Sequence, residues 1–146
     1  MTKQEILNTI DKLLPQMPKI DFALLGTCNL YIQGITELVP NDFDLMTNYE
    51  GIRKIGKTFD SEVFVDGEPG YIETEFDLDG IEIHFVSTDK NPLRPDNFQD
   101  FTTIISFEGR EVPCLTLESE YEAYSKMGRD KDKLKLKQIE ELPKKV

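Results

Sequence analysis

The sequence predicts an α/β (α+β) chain with a mixed, largely antiparallel sheet and flanking helices. Three observations predict it. Apolar residues recur at helical spacing at both ends and near residue 55, runs of strand length lie between them, and Gly-containing turn dipeptides separate those runs. With 146 residues, 38% apolar and 31% charged, the chain has the size of one domain that can bury a core, so residues 1–146 are expected to form a single unit.

Ile6, Ile10, Leu13, Leu14 and Met17 sit on one helical stripe, and Thr2 with Glu5 makes a capping-box start, so residues 3–14 are predicted helical. After the Pro15 to Pro18 break, Ile20 to Leu25 reads as a short strand ending at Gly26. Residues 27–33 form a short predicted helix, packed through Leu30 and Tyr31 and closed at Gly34. In Asp42-Phe43-Asp44-Leu45-Met46 acids alternate with apolar residues, as on a strand with one buried face. Thr47 and Glu50 suggest a second capping box, and Ile52, Ile55 and Phe59 continue that helix to about residue 59. Further strands are expected near 71–77, 81–86 and 101–107. Asp79-Gly80 turns the first into the second, and Glu108-Gly109 turns the third into 110–113. Leu117, Tyr121, Tyr124 and Met127 form a helix stripe, and 130–140 reads as a last helix with Leu134, Leu136 and Ile139 facing in.

Charge and composition exclude several function classes. No apolar run approaches the ~18 residues of a membrane span, and the N-terminus lacks the basic, apolar and small-residue segments of a signal peptide. A cytoplasmic location without membrane association is therefore expected. Cys28 and Cys114 lack zinc or disulfide spacing and read as buried thiols. The net charge of −11 is uneven, because residues 126–146 hold eight Lys or Arg against four acids and leave −15 on the first 125 residues. Such a surface repels long nucleic acid, whereas a small anion escorted by a divalent cation is a compatible guest.

The chemistry concentrates in a Gly26-Thr27 turn after one predicted strand and the Asp42-x-Asp44 pair on the next. Carboxylates at i and i+2 of a strand lie on one face roughly 7 Å apart, close enough to share or bridge hard cations. Crowded carboxylates repel, and Mg²⁺ or Mn²⁺ relieves that while taking its other ligands from phosphate and water. Gly26 lets backbone amides approach a phosphate, and the Thr27 hydroxyl adds a hydrogen bond. An acidic Ca²⁺-binding domain is the weaker reading, since no EF-hand loop is present.

The stretch FALLGTCNLYIQGITELVPNDFDLMT resembles the opening of the nucleotidyltransferase superfamily, which includes the minimal, lincosamide- and aminoglycoside-modifying nucleotidyltransferases and abortive-infection toxins. VPCLTLESEYEAYSKMGRDKDKLKLKQI is similar to the helical segment that closes small members, so the likeness spans about residues 20–140. It implies a nucleotidyltransferase fold and a metal-dependent transfer of an NMP group from an NTP to an unknown hydroxyl acceptor. It assigns Gly26 and Thr27 to nucleotide, and Asp42 and Asp44 to metal and catalysis. Lys126 and the Arg129-Asp130-Lys131-Asp132 run become phosphate contacts, or else a solvated basic face with helix ion pairs.

The resemblance also implies a third acid on a later strand, facing the pair. Alternation puts Ile81, Ile83 and Phe85 on the core face and leaves Glu82 and His84 together on the other. Only one of them can sit opposite the pair. The family's Gly-x-x-apolar-acid-apolar pattern, laid on Gly80-Ile81-Glu82-Ile83-His84-Phe85, puts His84 in the acid's register; Glu82, two residues earlier and with the longer reach, is the preferred third metal ligand, and either would complete the site as ligand or base. If His84 takes the place, the chain reads instead as a metal-poor relative, an antitoxin-like module that binds nucleotide or a partner without catalysis.

Overall fold

The computed structural model describes residues 1–65 and 70–142. The expected capping box opens α1 (Lys3–Leu13): Thr2 Oγ1 accepts the Glu5 amide at 3.1 Å, and the Thr2 amide donates to the Glu5 carboxylate at 3.0 Å. The helix tightens into a single 3₁₀ turn at Leu14–Gln16, where Pro15 has no N–H to continue the α-helical ladder.

Strand β1 (Ala23–Leu25) is shorter than the apolar run suggests, and all three of its residues are buried. It passes directly into α2 (Gly26–Ile32). Gly34, at φ +113°, ends that helix as expected. Its amide reaches the Tyr31 carbonyl and the Ile35 amide reaches the Leu30 carbonyl, the paired bonds of a Schellman stop.

Strand β2 (Phe43–Thr47) precedes α3 (Tyr49–Phe59). The second cap departs from expectation. Asn48, not Thr47, is the cap, and its side chain accepts the Gly51 amide at 2.8 Å. Thr47 is still a strand residue, and its hydroxyl donates to the Asp21 carbonyl at 2.7 Å.

Strands β3 (Val63–Val65), β4 (Ile72–Leu78), β5 (Ile81–Ser87), β6 (Thr102–Phe107) and β7 (Arg110–Leu115) follow. The first of these was not foreseen. Both residues of Asp79-Gly80 and of Glu108-Gly109 have positive φ, the requirement of tight two-residue hairpins. The chain ends in α4 (Leu117–Met127) and α5 (Asp130–Glu141).

The strands make one sheet in the order β3-β4-β5-β2-β1-β7-β6. It is mixed and largely antiparallel, the two parallel pairs being β1 with β7 and β2 with β5. One face carries the main core: Leu24, Phe43, Leu45, Ile83 and Phe85 from the sheet meet Ile6, Ile10, Ile52 and Ile55 from α1 and α3. Cys28 and Cys114 are buried free thiols.

Helices α4 and α5 gather around a separate cluster of Leu30, Ile35 and Tyr124. Two inward assignments are corrected here. Leu134 is 50% exposed, and the buried face of α4 is Ser119, Glu120, Ala123 and Tyr124, while Tyr121 points outward to Glu140. No helix among the described residues is long and apolar enough to cross a membrane.

Candidate active site

Alternation along β2 sends Phe43 and Leu45 into the core and Asp44 to the opposite face. The register then lines up Leu25, Asp44, His84 and Glu75 across the adjacent strands β1, β2, β5 and β4. Asp42 stands one residue before β2, so the pair spans the mouth of the strand rather than its middle. Gly26, at the exit of β1, has φ +79°, and a Cβ there would lie 3.1 Å from Asp44 Oδ2. Only glycine fits that bend against that carboxylate.

The position facing Asp44 is held by His84, the residue the family pattern puts in that register, and not by Glu82, the preferred ligand. Strand register, which alternation does not determine, is the reason. Glu82 lies opposite Asp77 near the open end of β5; it is exposed, and its carboxyl is held above the usual range by a hydrogen bond with Glu75.

His84 sits between two carboxylates, with Nδ1 3.5 Å from Asp44 Oδ1 and Nε2 2.6 Å from Glu73 Oε1. Burial opposes its charge, but the hydrogen bonding and charge of Asp44 and Glu73 outweigh this and raise its pKa to about 9. The ring is therefore an imidazolium at neutral pH, and both nitrogens point at acids. Asp42 is pushed up by burial and then by the Asp44 charge.

Asp44 Oδ1 is buried, and its contact with His84 Nδ1 at 3.5 Å is a long ion pair rather than a short hydrogen bond. That weakly held oxygen, beside a second carboxylate with a raised pKa, suits a hard divalent cation completed by phosphate and water. Among the described residues, no group of three or more His, Cys, Asp or Glu side chains is arranged to hold a metal. The donors the cleft offers such an ion are the carboxylates of Asp42 and Asp44.

Gly26, Thr27, Asp42, Asp44 and His84 border one cleft of about 650 Å³. Glu82 and Lys126 do not border it, and Lys126 is exposed on the far part of α4. Of the basic residues the resemblance named, Arg129 and Lys131 do border it, and Arg94 and Lys135 join them. Arg129 also forks onto the buried Asp132, through Nε at 2.7 Å and Nη2 at 2.9 Å, so its helix-pairing role and its place at the cleft coexist. The Lys135 ammonium lies 4.7 Å from the centre of the Tyr124 ring.

The expected backbone contact at the turn is altered as well. The Gly26 amide donates to Glu120 Oε2 at 2.7 Å and is not turned to the cleft. Sequence reading missed Glu120, Tyr124 and Arg94 as site residues. Glu120 and Tyr124 are i and i+4 on α4, a spacing that signals one shared face; Arg94 lies in a segment without periodicity and carried no signal.

Residues 7–139 match the model of the aminoglycoside-2''-adenylyltransferase family. A Thermotoga maritima protein assigned as a nucleotidyltransferase superposes with a TM-score of 0.77 at 23% identity, over 94% of each chain. The lincosamide antibiotic adenylyltransferase LnuA, solved with lincomycin bound, superposes at 0.65 and 14% identity, over 98% of this chain and 99% of that one. The solution structure of the antibiotic-resistance factor ANT(2'')-Ia gives 0.55 at 13% identity, over 93% and 79%. These likenesses establish a shared fold. A search of curated proteins returns no match.

Proposed function

Since the chain belongs to the aminoglycoside-2''-adenylyltransferase family, we propose that it passes an NMP group from an NTP to a hydroxyl of a small acceptor, with Mg²⁺ or Mn²⁺ held by Asp42 and Asp44. The observation that carries this reading is the cleft that brings that carboxylate pair together with cations from α5 and the segment after β5. Nucleotidyl transfer asks a protein for position and charge more than for covalent chemistry, and this cleft supplies both.

A divalent ion bound there supplies neutralisation of phosphate charge and polarisation of the phosphoryl group under attack. The chain's own groups do the rest. Lys131, from the run the resemblance named, and Lys135, in place of Lys126, hold the anionic end of the NTP, and the Thr27 hydroxyl offers a hydrogen bond beside the Asp pair. His84 takes the third position in place of Glu82. Its ring bridges Asp44 and Glu73 and steadies the Asp44 carboxylate, and with Nδ1 on Asp44 and Nε2 on Glu73 neither nitrogen is turned to an acceptor hydroxyl. For the acceptor we take the lead of the family name and of the lincomycin-bound relative: a hydroxyl-bearing antibiotic or a molecule of that kind.

His84 at the third position also favours a second reading, a nucleotide-binding relative that does not catalyse. One experiment separates the two. The protein is incubated with α-labelled ATP, Mg²⁺ and a panel of aminoglycosides and lincosamides, and Mn²⁺ and ATP binding are measured by calorimetry on the same preparation. The expected result is a labelled acceptor that disappears in Asp42→Asn. Nucleotide binding with no transfer to any acceptor selects the non-catalytic reading. Mn²⁺ binding that persists unchanged in the Asp42→Asn, Asp44→Asn double variant removes the metal assignment.

A further inference from the structure

Glu120 on α4 is completely buried and takes no part in the chemistry above. Its carboxylate collects three donors from distant parts of the chain: the Gly26 amide at 2.7 Å and Asn29 Nδ2 at 3.1 Å on Oε2, and Arg94 Nη1 on Oε1. Arg94 comes from the segment between β5 and β6, is 8% exposed, and borders the cleft. Its guanidinium carbon lies 5.8 Å from the centre of the Tyr124 ring. Tyr124 borders the cleft too, and its buried hydroxyl lies against the Arg94 guanidinium.

As a device for stability such a pair is poor, because removing both charges from water offsets most of their attraction. What it supplies is a guanidinium locked in one orientation. A guanidinium carries five N–H donors in a rigid fork, and Glu120 engages it through Nη1 alone. The Tyr124 ring and hydroxyl beside it help to fix the guanidinium at the cleft wall. Lys131 and Lys135 border the same cleft and set the sign of the guest.

We propose that Arg94 is a phosphate-binding residue of the cleft and that Glu120 is its positioning residue, the same carboxylate fixing the Gly26-Thr27 turn. Anion contact and turn geometry are thereby tied to one buried group, so disturbing either disturbs the other. The fork takes a diphosphate whether it comes from a nucleotide or is free pyrophosphate. Only the choice of nucleotide rests on the transferase reading.

The test is calorimetry of ATP with Mn²⁺, and of pyrophosphate alone, on the wild type, Arg94→Lys, Glu120→Gln and the double variant, alongside their melting temperatures. Arg94→Lys keeps a cation against Glu120, so it should melt close to the wild type while losing about tenfold in affinity for both ligands, because an ammonium lacks the fork. Glu120→Gln should lose a similar factor, and the double variant should bind no worse than the weaker single, since both act through one contact. A purely structural Glu120 would add its loss to that of Arg94. Wild-type affinity of Arg94→Lys for both ligands overturns the proposal, and that arm decides even if Glu120→Gln fails to fold. Pyrophosphate binding that depends on Arg94, with no ATP binding by the wild type, upholds it and removes the nucleotide reading. Binding of neither ligand by the wild type removes both.

Discussion

His84 shows how much one residue's register decides. The same imidazole on an apolar strand would be an ordinary half-buried histidine; opposite Asp44 and diagonal to Glu73 it becomes a cation inside an acidic site. Its pKa in the fold, about 9, stands above the ordinary 6.5. A group held protonated by folding contributes its full stabilisation below pH 6.5 and loses it as the pH rises through about 9. The stability difference between wild type and His84→Gln, measured by denaturant unfolding in metal-free buffer, should therefore be largest near pH 6 and shrink towards pH 9. A difference that stays constant across that range would show that the two carboxylates do not hold the proton. The sequence supplied both candidates for this position, Glu82 and His84, on the correct face. The family pattern put His84 in the register and side-chain reach favoured Glu82; the parallel pairing of β2 with β5, whose partners lie forty residues apart, decides for His84.

Among the elements, the cap of α3 illustrates a near miss with a physical cause. Thr47 and Asn48 are both good capping residues, and the strand claims Thr47 for its own ladder and for the Asp21 carbonyl, leaving the cap to Asn48. The helix then begins so close to β2 that a Cβ on Gly51 would sit 2.0 Å from Thr47 Oγ1 and 2.9 Å from Thr47 Cβ. Asn48→Ala should cost about 1 kcal/mol, the usual loss of a cap. Gly51→Ala should cost more, because the hydroxyl cannot yield without giving up its bond and α3 must move away from the sheet. Thermal melts of the two variants check the order; a Gly51→Ala protein as stable as the wild type would contradict the packing. Helix α1, the Asp79-Gly80 and Glu108-Gly109 hairpins and the Gly34 stop were legible because each rests on residues a few positions apart. Strand β3, three residues long with Phe64 and Val65 exposed, was not, since it exists only by pairing with β4.

Across the whole molecule, the fold joins two regions of opposite charge. The first 125 residues sum to −15 and the remainder to +4, and the cleft places Asp42 and Asp44 from the one beside Arg129, Lys131 and Lys135 from the other. An NTP entering this cleft meets the carboxylates unless a divalent cation is present, so ATP affinity in chelator should be at least about tenfold weaker than with Mn²⁺. Equal calorimetric affinity in the two buffers would contradict the carboxylate site. The sequence by itself determined the mixed α/β architecture, the same-face carboxylates, the glycine turn and the basic tail, because these follow from periodicity, backbone conformation and composition within short windows. Only the tertiary structure decided that His84 faces Asp44, that Glu120 takes the Gly26 amide, and that Arg94 and Lys135 join Arg129 and Lys131 at the cleft while Lys126 stays away from it. Those outcomes depend on strand register and helix docking, which are set by the packing of residues distant in the chain.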